Sequence, residues 1–88
     1  MNIVLIGAGN VATQLAKAFY GKGFTISQVY SRTENSASAL AAVVQCPFIT
    51  DLTALDVNAD AYFICVKDST LPDIISQLPK LSGVVMHT

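Results

Sequence analysis

NIVLIGAGNVATQLAKAF, residues 2–19, is the stretch on which the fold turns. Ile3, Val4, Leu5 and Ile6 form a short unbroken apolar run, the pattern of a strand covered on both faces as in a parallel sheet. Gly7, Ala8 and Gly9 follow. Val11, Ala12, Leu15, Ala16 and Phe19 then recur at helical spacing, so the segment reads strand, glycine turn, helix. In that setting Gly7-Ala8-Gly9-Asn10-Val11-Ala12 fits the G-x-G-x-x-G/A dinucleotide fingerprint. Gly7 is expected to turn the chain out of the strand, Gly9 to let a pyrophosphate approach the backbone, and Ala12 to keep helix and sheet close. The N–H groups of Asn10 and Val11, aided by the helix dipole, would meet the phosphate charge. A lone glycine fingerprint can also be a turn that only closes a βα unit; the strand before it and the helix after it favour nucleotide binding.

Working outward, the first helix is expected to reach about Tyr20 and to be stopped by Gly21 and Gly23. A second strand covers Thr25 to Tyr30, and a second helix runs from Glu34 to Val44 with Ala37, Leu40, Ala41 and Val44 on one face. Pro47-Phe48-Ile49 reads as a short third strand, and Asp51 to Leu55 as one helical turn. Ala61 to Val66 is the clearest later strand. A third helix follows with Pro72 in its first turn and Leu71, Ile74, Ile75 and Leu78 inward; Asp68 or Ser69 is its expected cap. Gly83 to His87 reads as a fifth strand, and Pro79 ends the helix before it. This alternation implies an α/β, Rossmann-type doubly wound parallel sheet of five strands, in the order 3-2-1-4-5, with right-handed crossovers. The binding crevice then lies between strands one and four at their carboxyl ends.

The 88 residues allow one domain, read here as a dinucleotide-binding domain at the N-terminal part of a longer protein. Charged residues make up 12% of the chain against 52% hydrophobic, so apolar surface is either deeply buried or left for another domain or subunit. A net charge of -1 gives no electrostatic reason to expect nucleic acid or an anionic membrane. No apolar run approaches the roughly 18 residues of a membrane span, and no basic segment precedes the first apolar run as in a signal peptide. Cys46 and Cys65 lack C-x-x-C spacing and read as buried free thiols, in keeping with a reducing cytoplasm. One histidine and two scattered cysteines make no metal site.

The end of the second strand decides which dinucleotide fits. An NAD binder places Asp or Glu there, about 20 residues past the glycines, to hold the ribose 2′-hydroxyl. This chain has Tyr30, Ser31, Arg32 and Thr33 instead. The Arg32 guanidinium and the hydroxyls of Ser31 and Thr33 suit a 2′-phosphate, which favours NADP(H); the competing reading is a solvated arginine ahead of a capped helix. Cys65, Val66 and Lys67 leave the fourth strand beside the groove, where they would flank the ribose and nicotinamide, and Lys67 could reach a phosphate or substrate. His87, at the mouth of the fifth strand, is the candidate general acid or base.

The set GAGNVA, YSRT, ICVKD and MHT resembles the N-terminal NADP-binding domain of the pyrroline-5-carboxylate reductase-like and F420-dependent NADP oxidoreductase-like group. Within it, the chain is most similar to Rossmann-like oxidoreductases carrying a C-terminal helical domain. The resemblance spans essentially the whole chain. Gly7, Gly9, Asn10 and Ala12 match the G-x-G-N-x-A turn, Ser31-Arg32-Thr33 the 2′-phosphate segment, and Val66-Lys67 the exit from strand four. Asp68 replaces the proline that pyrroline-5-carboxylate reductases carry after that lysine, which argues against that activity. His87-Thr88 resembles a segment that continues into small residues in the group. The resemblance implies hydride transfer with a small-molecule substrate, and a homodimer built through the helical domain. The alternative is a non-enzymatic nucleotide-sensing domain for NAD(H) or another adenine nucleotide; a methyl donor or flavin could occupy the same crevice, since fold alone does not fix the ligand.

Overall fold

The computed structural model describes residues 1–87; the closing Thr88, expected to follow His87 in the His-Thr segment, lies outside them. The chain runs β1 (Asn2–Ile6), α1 (Asn10–Gly21), β2 (Thr25–Tyr30), α2 (Glu34–Val44), β3 (Phe48–Ile49), a 3-10 turn (Leu52–Ala54), β4 (Ala61–Ile64), α3 (Leu71–Gln77) and β5 (Val84–His87). The described residues form one five-stranded sheet in the order β3-β2-β1-β4-β5, with every neighbouring pair parallel.

β1 is the middle strand, and its side chains show why the sheet must be covered twice. Ile3 and Leu5 pack with Ala12 and Ala16 of α1 and with Leu40 and Val44 of α2. Val4 and Ile6 point the other way, into a second cluster with Leu52, Leu55, Tyr62 and Ile74. Side chains alternate across a strand, so an unbroken apolar run requires an apolar layer on each face. All four are essentially inaccessible to solvent. The β1–β2 register slips between Ile3 and Val4, so that Ile26 and Gln28 are successive partners and Ser27 is bypassed. The Ser27 hydroxyl donates to the Ile3 carbonyl at 3.3 Å at that irregularity.

Behind the second cluster, the loop from the 3-10 turn to β4 is held by Tyr62. Its hydroxyl donates to the Asp56 carbonyl and accepts from the Ala59 N–H at 3.1 Å. Gln28 ties the same loop to β2, accepting from the Asp56 N–H at 2.9 Å and donating to the Ala54 carbonyl at 3.2 Å.

Several boundaries and faces differ from the sequence expectation. α1 includes Gly21 as its last residue. β3 begins at Phe48, because Pro47 has no N–H to give a ladder and contributes only its carbonyl, which accepts from Val29 N–H at 3.1 Å. β4 ends at Ile64 and not at Val66: Cys65 N–H still reaches the Ile6 carbonyl at 2.8 Å, but beyond it β1 has already turned at Gly7 and offers no partner. β5 starts at Val84. In α1, Ala12 and Ala16 are buried while Val11 is exposed. In α3, Ile74 is buried and Ile75, about 100° further round the helix, is 54% exposed. Thr70, and neither Asp68 nor Ser69, caps α3, because Thr70 and Leu71 N–H groups both fold back onto the Lys67 carbonyl before the helical bonds begin at Ile74 N–H to Thr70 O. Cys46 and Cys65 are half-buried instead of buried.

Candidate functional site

The carboxyl ends of β1, β2 and β4 open into one cleft of about 280 Å³. The turn after β1 builds its floor. Gly7 sits at φ +116, and its N–H donates to the Tyr30 carbonyl at 2.7 Å, binding the turn to the end of β2. A Cβ on Gly7 would run into the backbone carbonyl of Cys65, so the position has neither the dihedral angle nor the space for a side chain.

Gly9 is different. Its φ of -81 is open to any residue, and a Cβ there would meet nothing within 4 Å. The fold does not need glycine at this position; what its absent side chain leaves clear is the approach to the start of α1. No side chain caps that helix, whose first internal bond runs from Thr13 N–H to the Gly9 carbonyl at 2.9 Å. The N–H groups of Asn10, Val11 and Ala12 therefore have no carbonyl within the helix to bond. Open space in front of free amides at a helix N-terminus is what a pyrophosphate requires, so the residues present fit a dinucleotide.

The cleft brings together eight of the sequence-predicted residues: Gly7, Ala8, Gly9, Ser31, Arg32, Cys65, Val66 and Lys67. Asn10 and Val11 line an adjoining hollow that shares Gly9, Cys65, Val66 and Lys67. The exposure of Val11, anomalous for a core residue, follows from this place beside the site. Two predicted residues line neither space. The Thr33 hydroxyl donates to Ser36 Oγ at 2.9 Å in the first turn of α2, and Thr33 occupies the N-cap without a side-chain cap bond. His87 stands at the end of β5 beside Val66 and Asp68. Tyr30, Thr70 and Ile74 also line the cleft without having been singled out. Tyr30 carried a signal, as the last residue of β2; Thr70 would have required the α3 cap to be placed correctly. A separate hollow of about 430 Å³ lies between α1 and α2, lined by apolar and small side chains such as Ala39, Leu40 and Val43.

The charge of the cleft differs from that of the chain. Among the described residues, Arg32 and Lys67 line it and no carboxylate does, although the whole chain carries -1. Among the described residues neither cation has an ion-pair partner. Neither is consumed by the fold. Also among the described residues, no group of three His, Cys, Asp or Glu could hold a metal ion, and no helix is long and apolar enough to cross a membrane.

A family model described as NADP oxidoreductase, coenzyme F420-dependent, matches residues 2–86. The chain belongs to this family. Among solved structures, this NADP oxidoreductase-family domain is similar to a candidate NADP oxidoreductase of Bacteroides fragilis, with 48% identity and a TM-score of 0.92, over 99% of this chain and 35% of that one. A candidate NADPH-dependent oxidoreductase of Desulfitobacterium hafniense shares the fold at 19% identity and a TM-score of 0.80, over 99% of this chain and 26% of that one. Synechocystis arogenate dehydrogenase does so at 23% identity and a TM-score of 0.84, over 100% and 32%. No curated protein matches significantly. The chain thus spans 26% to 35% of the length of these solved relatives. As a member of this family, it is a Rossmann-type domain of the NADP-dependent oxidoreductase class.

Proposed function

We propose that this chain is the NADP(H)-binding domain of an oxidoreductase that transfers hydride to or from a small substrate, and forms the N-terminal part of a longer protein. The observation that carries the reading is the cleft itself: among the described residues it has two cations without an ion pair, no carboxylate, and the open Gly9 at the start of α1. A dinucleotide with a 2′-phosphate is a polyanion, and this lining answers its charge.

In this reading Gly7 and Ala8 shape the floor, and Gly9, Asn10 and Val11 receive the pyrophosphate. Ser31 and Arg32, with Thr33 at the edge, hold the 2′-phosphate. A carboxylate at the end of β2 would repel that group, and none of the described residues lining the cleft carries one. Cys65 and Val66 flank the ribose and nicotinamide, while Lys67 contacts phosphate or substrate and His87 faces the reacting centre. The bound cofactor supplies the hydride couple; the chain supplies binding, orientation and a proton-handling group. A C-terminal helical domain would complete the substrate pocket and form a homodimer. A reducing cytoplasm, where a thiol such as Cys46 stays free, is the compartment this reading assigns.

Calorimetric titration with NADPH, NADH and S-adenosylmethionine at one ionic strength tests the reading. Preference for NADPH is expected. Preference for NADH removes the 2′-phosphate role from Ser31, Arg32 and Thr33. Binding of S-adenosylmethionine alone, or of nothing, overturns the assignment.

A further inference from the structure

The exits of β4 and β5 lie side by side, with Ile64 and His87 as the last register partners of the two strands. Just beyond them the loop after β4 comes within reach of the imidazole. His87 Nε2 is 3.4 Å from the Val66 carbonyl oxygen and 3.7 Å from Asp68 Oδ1. Both are acceptors: a carbonyl has no proton to give, and an ionised carboxylate has none either. Two acceptors at one ring nitrogen favour a proton on that nitrogen. In the neutral ring the lone pair is then on Nδ1.

We infer that Asp68 is a positioning residue that fixes His87 in its Nε2–H form, leaving Nδ1 as the atom that accepts or returns the proton of the reaction. This rests on the oxidoreductase reading above. Oxidation of a substrate alcohol or amine removes a hydride from carbon and a proton from the attached oxygen or nitrogen. A bound oxidised nicotinamide would supply the hydride acceptor, and the proton would pass to Nδ1. The imidazolium so formed has its new charge beside the Asp68 carboxylate, and in the reverse direction the same proton returns to the substrate heteroatom. An outer carboxylate that orients a working histidine without touching the reacting atoms is an established arrangement in other enzymes.

The other groups near the ring leave Asp68 as the charged partner. Val84, Val85 and Met86 on β5 carry no charge, and Cys65 and Lys67 are the remaining titratable side chains on the β4 exit. Among the described residues the ion pair of His87 is with Asp68 alone. The Asp68 side chain is 94% exposed, so replacing it removes no packing and should leave the fold intact.

His87 is the single histidine of the 88 residues, so long-range proton–nitrogen NMR spectra of the ring are free of overlap. In the unaltered chain the neutral ring should carry its proton on Nε2. Asp68→Ala should move the tautomer ratio toward the Nδ1–H form by about two- to fivefold, the range set by an exposed ion pair. Asp68→Glu should restore it in part. A ratio that does not respond to Asp68→Ala, or an Nδ1–H ring in the unaltered chain, would overturn the inference. A titration of the same samples with NADP⁺ separates two failures. Absence of binding overturns the cofactor reading, whereas binding with a ring indifferent to Asp68 overturns only the positioning role.

Discussion

Gly7 and Cys65 meet backbone to backbone at the head of the cleft, and a side chain on Gly7 would have to occupy the Cys65 carbonyl. That contact joins the turn after β1 to the end of β4, the two strands between which the crevice opens. Gly7→Ala therefore faces both a positive φ and a backbone collision. It should cost roughly 3 kcal/mol or more of folding stability, measured by urea denaturation.

The second glycine of the turn should behave in the opposite way. In Gly9→Val the new Cβ has no described atom within 4 Å, and the φ is allowed. Its stability cost should stay near the ~1 kcal/mol of a poorer N-cap. Nucleotide binding should nonetheless be abolished, because the valine fills the space in front of the α1 amides. A folded Gly9→Val protein that still binds NADPH would remove the pyrophosphate role from this turn.

Arg32 lines the cleft without an ion-pair partner among the described residues, so its removal should not disturb folding. Arg32→Ala should weaken NADPH by roughly 1.5–3 kcal/mol, the range for a hydrogen bond to a charged group, or about ten- to a hundredfold in Kd. NADH should change little. Equal losses for the two cofactors would mean that Arg32 does not discriminate between them.

Element order and the cleft were legible because they rest on patterns that tertiary context seldom overrides. β1 is apolar at every position from Ile3 to Ile6, which states that both faces are covered, and the glycines fix where the chain turns. The ends of β1, β2 and β4 then bring Gly7, Ser31 and Cys65 to one place by topology alone. What escaped was local. Val66 continues the apolar run of β4, but a strand needs a partner, and β1 has already left the ladder there. Ile75 looks like a core residue by type; in a helix as short as α3, only Ile74 is fully buried. The α3 cap shifted from Asp68 or Ser69 to Thr70 because a preceding backbone turn, invisible to composition, occupies residues 67–70. Val84, Val85 and Met86 are exposed along β5, the sheet edge whose second side has no strand among the described residues.

Tyr62 offers a test of the second core cluster that is independent of any ligand. Its hydroxyl serves the Asp56 carbonyl and the N–H of buried Ala59. Tyr62→Phe keeps the ring and removes both bonds, leaving a donor and an acceptor short of a partner. The expected loss is about 1–3 kcal/mol in urea denaturation, with the denaturant slope unchanged. A neutral substitution would show that water replaces the hydroxyl there.

Two groups should make the fold sensitive to alkali. Burial pushes the Cys46 thiol above its ordinary value of 9.0. It likewise pushes the Tyr62 phenol above 10.0, with the Asp56 charge adding to the rise and the Ala59 N–H opposing it. In the unfolded chain both groups ionise near their ordinary values, while the native protein still holds the protons. The native state then binds more protons than the unfolded one, so stability falls as pH rises. The contribution is present in full below the unfolded thiol value and is lost progressively as the pH climbs through the raised native values. Urea midpoints should be flat from neutral pH to about pH 8 and decline beyond about pH 9. Cys46→Ala should remove the first part of that decline and Tyr62→Phe the later part. A midpoint that stays level across the alkaline range in the unaltered chain would mean that neither group is held neutral by the fold.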